Sequence, residues 1–215
     1  MRYRSPGIGY TLGRMASIHV PYLTEEEYLA LEREAVTKSE FHDGQMFALA
    51  GGTRAHSRIA VNLCVAFASA LKDRDCSAEN SDLRLHIPQR RSYVYPDLMI
   101  SCGDEAGPEN DVAERPVLVG EVLSPKTESY DRGAKFALYR TVDSLREYLL
   151  ASQAEPLLEL FSRQADGRWV LSEARGLEAV LRVDSLGFSI RLEDVYRRVK
   201  LLSAPATEDA APPAP

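Results

Sequence analysis

Val117-Leu118-Val119-Gly120-Glu121-Val122-Leu123 is an apolar run of strand length that carries a single carboxylate. A charge in such surroundings is expensive unless something is paired with it. Upstream, Ser92-Tyr93-Val94-Tyr95-Pro96-Asp97-Leu98-Met99-Ile100 is a second apolar run, again with one carboxylate. If the two runs are neighbouring strands, Asp97 and Glu121 meet at one spot. Either a divalent cation shared by the two acids or an ion pair with Lys135 or an arginine accounts for Glu121. The Pro96-Asp97 pair favours the cation, because paired carboxylate oxygens suit a hard ion such as Mg²⁺.

Working outward, Ser124-Pro125 follows the Glu121 run, then a helix is expected over 131–142 and an apolar strand over 148–151. Strand, helix and strand predict a right-handed crossover and a partly parallel sheet. Near the start, Thr24 and Glu27 have capping-box spacing ahead of a short helix over 25–35. Asp43-Gly44 reads as a turn, followed by a strand over 45–50. Ile59, Leu63, Phe67 and Leu71 recur at four-residue steps, so 56–71 is a helix with one buried face. Leu83, Leu85 and Ile87 alternate up to Pro88, and Gln89-Arg90-Arg91 then turns the chain into a strand over 93–100, which makes a hairpin. Residues 102–116 form a loop rich in glycine, proline and acids between the two acid-bearing strands. Short β-like runs follow at 157–161, 168–172, 179–183 and 188–192, with a closing helix over 192–200. The class is α/β: a mixed central sheet flanked by helices, with additional C-terminal antiparallel strands.

With 215 residues and 45% hydrophobic content the chain can fill one core. One domain is expected over 21–203, after a flexible extension over 1–20, where Met15 is an alternative start. The Ala- and Pro-rich stretch 204–215 is expected to be disordered. A net charge of −6 counts against a protein that holds nucleic acid by backbone electrostatics alone, so local patches or bound metal must do that work. Three cysteines, Cys64, Cys76 and Cys102, show no CxxC spacing, so neither a disulfide framework nor a zinc site is expected and a reducing cytoplasm fits. No apolar stretch is long enough to span a bilayer.

Two acids at a strand edge, with an amphipathic helix carrying Lys135 behind them, suit hydrolysis of a phosphodiester. That reaction needs an activated water and charge neutralised on the phosphoryl oxygens. Other side chains carry two readings each. His56 could touch phosphate or relay a proton, or simply cap or pack its helix. Asp131 caps the helix and pairs with Lys135 at i, i+4. Tyr139 shares a helix face with Lys135, for core packing first and phosphate contact second. Arg84, His86, Arg90 and Arg91 form either a DNA-facing ribbon or a solvated hairpin tip.

Taken in order, Glu40-Phe41-His42-Asp43-Gly44, His56, Tyr95-Pro96-Asp97, Glu121-Val122-Leu123-Ser124-Pro125, Tyr130-Asp131-Arg132-Gly133-Ala134-Lys135, Tyr139 and Arg146-Glu147-Tyr148-Leu149-Leu150 resemble the PD-(D/E)XK nuclease superfamily. More narrowly, the set is similar to the Uma-two type of bacterial restriction-endonuclease-like protein. The resemblance implies a restriction-endonuclease-like core, Mg²⁺ (or Mn²⁺) as cofactor, DNA as substrate, a homodimer and a bacterial cytoplasmic location. It carries metal binding onto Asp97 and Glu121. In such sites the lysine stands two residues beyond the second acid, where this chain has Leu123. The role passes to Lys135 on the following helix, with Lys126 as the other candidate. Glu40 matches an acid contributed from the N-terminal helical region, while Gln45 replaces a common glutamate. The expected activity is Mg²⁺-dependent hydrolysis of DNA by Glu40, Asp97, Glu121 and Lys135. The competing expectations are a catalytically inert nuclease-fold module for DNA binding or assembly, and hydrolysis of RNA or another phosphodiester.

Overall fold

The structure, a computed structural model, describes residues 22–103 and 107–202. The extension expected over 1–20 and the tail expected over 204–215 lie outside these residues. Helix α1, Glu25–Glu34, starts at the expected capping box: the Glu27 N–H donates to Thr24 Oγ1 at 3.1 Å, and the Thr24 N–H donates to the Glu27 carboxylate at 2.8 Å. Strands β1, Ser39–His42, and β2, Gln45–Ala48, then form a hairpin through Asp43-Gly44. Both turn residues have positive φ, 41° and 90°, the conformation that Asp-Gly hairpin turns supply. Helix α2, Arg54–Leu71, buries Ile59, Leu63, Phe67 and Leu71, the face given by the four-residue steps.

Six strands make the main sheet, in the order β11-β10-β9-β8-β6-β3. These are β3 (Cys76–Asn80), β6 (Leu98–Cys102), β8 (Pro116–Val122), β9 (Glu147–Ala151), β10 (Leu157–Arg163) and β11 (Trp169–Arg175). Strands β8 and β9 pair in parallel and the others antiparallel, so the sheet is mixed. Between β8 and β9 the chain runs through α3 (Glu128–Tyr130), a π-helical turn (Asp131–Lys135) and α4 (Phe136–Tyr139), which is the expected strand–helix–strand crossover. A second sheet has the order β2-β1-β5-β4-β7, with β4 (Arg84–Ile87), β5 (Ser92–Val94) and β7 (Val112–Ala113). The C-terminal strands extend the main sheet as β10 and β11 and add a hairpin of β12 (Val180–Val183) and β13 (Phe188–Arg191). Helix α5, Leu192–Val195, is shorter than the expected 192–200. Among the described residues no helix is long and apolar enough to cross a membrane.

Strand alternation divides the core between the two faces of the main sheet. Ile59, Leu63 and Phe67 of α2 cluster with Leu98, Ile100, Leu118 and Val122. Tyr139, Val142 and Leu145 cluster with Met99, Val119, Leu123 and Tyr148. Glu121 alternates in step with Val119 and Leu123, so it faces the side covered by α3 and α4. Gly120 lets β6 and β8 approach closely, since a Cβ there would fall 3.2 Å from the Leu98 Cβ.

Three expectations need correction. The single strand over 93–100 is two strands in two sheets. Pro96 has no N–H for a ladder, and the chain leaves β5 and enters β6 across Tyr95-Pro96-Asp97. Residues 39–42 and 76–80, given no strand by their polarity, are β1 and β3. Cys76 and Cys102 stand directly opposite each other in the β3–β6 register and form a disulfide, contrary to the expectation of none; Cys64 is free.

Candidate active site

The β6–β8 register pairs Leu98 with Gly120, which sets Asp97 across from Glu121 at the end of the ladder. Asp97 is fixed there because its Oδ2 accepts the Val122 N–H at 2.8 Å. The same oxygen lies 3.1 Å from His56 Nε2, at the start of α2. The main-chain N–H of His56 donates to Thr53 Oγ1, so Thr53 and not His56 is the helix cap.

Lys135 reaches into the acids from the π-helical turn. Its Nζ is 2.9 Å from Glu121 Oε1 and 3.0 Å from Glu40 Oε1, and these three residues are only 6%, 4% and 4% exposed. Tyr139, one turn further along, donates its hydroxyl to Glu121 Oε1 at 2.6 Å, a role beyond either packing or phosphate contact. Glu40 comes from β1 of the second sheet, not from a helical region. The site therefore draws on both sheets and on the helical stretch that covers one of them.

The ionisation pattern follows from this packing. Burial pushes Glu121 up, and nearby Asp97 and Asp131 add to it against the opposing Lys135 charge; the result is about 8. Burial also works against ionised Glu40, yet its His42 and Lys135 contacts and the Tyr95 N–H outweigh that, bringing it down to about 2. Burial opposes the Lys135 charge but the Glu121 and Glu40 carboxylates overcome it, so its pKa is raised. Asp131 is raised, chiefly by burial. His56 is raised by its hydrogen bond to Asp97, against burial.

Among the described residues no group of three or more histidine, cysteine, aspartate or glutamate side chains forms a metal-holding set. Mg²⁺ does not require one, because it is commonly bound by one or two carboxylates with water and substrate phosphate completing its shell. Among the described residues Glu121 takes its two bonds on Oε1, and Asp97 takes both of its own on Oδ2. Oε2 and Oδ1 are thus the oxygens left to offer a cation. Two hard carboxylate oxygens facing each other across the ladder fit such an ion.

The model of the Uma2 family, described as "Putative restriction endonuclease", matches residues 25–193. The chain belongs to the Uma2 family. Among its relatives is an uncharacterized Synechocystis protein, slr1290, 37% identical over 177 residues that cover 82% of this chain and 93% of that one. Another, Synechocystis sll1609, is 36% identical over 159 residues, covering 73% and 90%. The crystal structure of a putative nuclease from Anabaena variabilis superposes with a TM-score of 0.67 at 17% identity, covering 81% of this chain and 97% of that one. At that identity the likeness shows a shared fold.

On the Uma2 fold the expected residues do not all converge. Glu40, Glu121, Lys135 and Tyr139 form one bonded set, and Asp97 with His56 forms a second pair beside it, Asp97 standing across from Glu121 in the ladder. Asp131 is buried inside the helical stretch, three residues past its start, so it does not cap the helix. It influences Lys135 through charge and not through an ion pair. Lys126 is exposed on the turn after Ser124-Pro125. His86, Arg90 and Arg91 stay at the β4–β5 hairpin. His86 and Arg91 bind Glu25 there, while Arg84 meets Asp111.

Three site neighbours were missed. Tyr130 Oη is 2.8 Å from His42 Nε2, which lies 3.6 Å from Glu40 Oε2. His42 stands two residues from Glu40, the same-face spacing of a strand, which would have linked them had 39–42 been read as one. Gln153 also props the site: it accepts from Thr53 Oγ1 at 2.6 Å and donates to the Leu123 carbonyl at 2.8 Å.

Proposed function

We propose that this chain is a divalent-metal-dependent endonuclease that hydrolyses DNA phosphodiester bonds, with Asp97 and Glu121 as metal ligands and Lys135 as the catalytic cation. The observation that carries the reading is the Lys135 ammonium bridging Glu40 and Glu121 while Asp97 stands across from Glu121 on the neighbouring strand. Membership of a family described as "Putative restriction endonuclease" supports it.

A bound Mg²⁺ supplies Lewis-acid charge at the phosphoryl group. The chain's own residues divide the remaining work. Lys135 stays protonated because two carboxylates outweigh its burial, so it acts as a hydrogen-bond donor and positive charge and not as a base. Its place is beside the reacting phosphate, where it orients the attacking water or faces the charge that builds up. Glu40 and Tyr139 fix the lysine and Glu121 in that arrangement, and His56 holds Asp97. A homodimer, which would bring two such sites to one duplex, belongs to the same reading and is measured by light scattering.

The test is plasmid cutting in Mg²⁺ or Mn²⁺ by the parent beside Asp97→Ala, Glu121→Ala and Lys135→Ala. Cutting by the parent and at least a hundredfold loss in each variant is the expected result, on the order of what removal of one charge-stabilising donor causes. Equal cutting by all four proteins rejects the site. Calorimetry that finds no divalent-metal binding, together with no cutting, would leave an inert DNA-binding or assembly module in place of an enzyme.

A further inference from the structure

Four arginines gather beside the acid cluster. Arg54 and Arg58 stand one turn apart on the exposed face of α2, and Arg197 and Arg198 follow α5. With Gly52 and Thr53 they line a groove of about 860 Å³, and among the described residues no acidic side chain lines it. Such an arrangement is unusual in a chain with 32 acidic and 26 basic residues. Arg33, Arg132, Arg175 and Arg182 each hold a carboxylate; among the described residues none forms an ion pair with any of the groove's four.

The two walls are tied together. Arg58 Nη1 donates to the Arg198 carbonyl at 3.2 Å, and Asn62 Nδ2 donates to the carbonyls of Val195 and Arg197 at 2.7 and 3.1 Å. Arg198 holds a positive φ of 58°, uncommon for a residue with a side chain. The groove also adjoins the acids. A Cβ on Gly52 would fall 3.0 Å from the His56 ring, whose Nε2 is the atom 3.1 Å from Asp97. Arg197 and Arg198 lie beyond the segment matched by the family model, 25–193, so two of the groove's four arginines are outside it.

Planar guanidinium groups aligned along a trough suit phosphate oxygens spaced along a backbone. We infer that this groove seats the phosphate backbone of duplex DNA and leads it past His56 to the carboxylates. The inference rests on the nuclease reading and adds to it the surface that holds the substrate. Net negative charge elsewhere then repels DNA from the rest of the surface and favours this approach.

The experiment measures binding of a fluorescein-labelled duplex by anisotropy across a salt series, with Ca²⁺ in place of Mg²⁺, alongside plasmid cutting in Mg²⁺. Parent protein is compared with Arg54→Ala/Arg58→Ala, with Arg198→Gly, and with the control Arg168→Ala/Arg182→Ala. Each lost phosphate contact lowers the slope of log Kobs against log salt by about 0.9, so the groove double variant drops by about 2 and binds at least tenfold more weakly. Arg198→Gly drops by about 1. Since glycine accepts the positive φ, this variant melts no lower than the parent, and its weaker binding cannot come from misfolding. The control keeps the parent slope. Parent-like binding by both groove variants, or an equal loss in the control, overturns the groove while parental cutting preserves the nuclease reading. A parent that neither binds nor cuts overturns both.

Discussion

Replacing Lys135 by methionine removes the one lysine or arginine that, among the described residues, contacts Glu40 and Glu121, while keeping the length of the side chain. At an effective dielectric of about 20, an ion pair at these distances is worth roughly 5 kcal/mol of gross attraction, and Lys135 makes two. Desolvation of three buried charged groups cancels much of that sum. What experiment reads on removing one partner is the cost of leaving buried carboxylates unpaired, about 3–5 kcal/mol. Urea unfolding at pH 9 in EDTA, where Glu121 as well as Glu40 is ionised, can follow Trp169, the single tryptophan, whose ring packs edge-on against Phe136 next to Lys135. The expected outcome is a 3–5 kcal/mol loss for Lys135→Met, about half of it recovered in Lys135→Met/Glu40→Gln, where one stranded charge is gone. Neither variant cuts DNA, so recovery of stability without recovery of cutting separates the structural role of the lysine from the chemical one. A Lys135→Met protein within about 0.5 kcal/mol of the parent refutes the buried bridge.

Saturating Mg²⁺ at about 100 times its Kd stabilises the fold by roughly 2.7 kcal/mol, a rise of about 5–10 °C in Tm by scanning fluorimetry; Asp97→Ala and Glu121→Ala lose the rise, and an equal rise in both argues against these ligands. Glu40 is more acidic folded, at about 2, than in the unfolded chain, near 4.5. Its contribution of roughly 3 kcal/mol is therefore present above pH 4.5 and lost as pH falls toward 2, and Glu40→Gln flattens that limb of an acid denaturation series. Glu121, at about 8, acts with the opposite sign. In EDTA its contribution is full below pH 4.5 and fades as pH rises toward 8, so an unchanged profile in Glu121→Gln contradicts the burial described. The Cys76–Cys102 disulfide closes a separation of 26 residues, for which chain entropy gives roughly 3.5 kcal/mol. Dithiothreitol should lower the urea midpoint accordingly and leave Cys102→Ser unaffected; equal sensitivity of both to reductant removes the bridge.

The parts of this fold that were legible in the sequence are those where one periodicity dominates. Ile59, Leu63, Phe67 and Leu71 give α2 because a single buried face imposes the 3.6-residue repeat. Val117 to Leu123 gives β8 because a strand covered on both faces reads as a near-continuous apolar run, here broken only by Glu121. Thr24 and Glu27 give the start of α1 by local hydrogen bonding alone. The misses have the reverse cause. Residues 39–42 read as Ser-Glu-Phe-His, and their strand identity depends on partners in β2 and β5. The disulfide depends on the β3–β6 register, which no cysteine spacing encodes. Within the site, Asp97 opposite Glu121 followed from neighbouring strands, whereas the link from Tyr130 through His42 to Glu40 needed the second sheet.

That second sheet also explains why a lysine on the helix suits this site better than one on the strand. Position 123, two residues past Glu121, is a leucine buried against the Tyr139 and Val142 cluster. An ammonium there would lie among apolar and aromatic groups and would answer only to carboxylates of its own sheet. From the π-helical turn, Lys135 lies between the sheets and bonds Glu121 of one and Glu40 of the other with one nitrogen. Tyr139, four residues on and on the same helix face, bonds the same Glu121 oxygen, so the helix grips that carboxylate at two points. Moving the lysine off the strand thus does more than preserve a charge. It couples an acid of the N-terminal hairpin to an acid of the main sheet through one buried nitrogen.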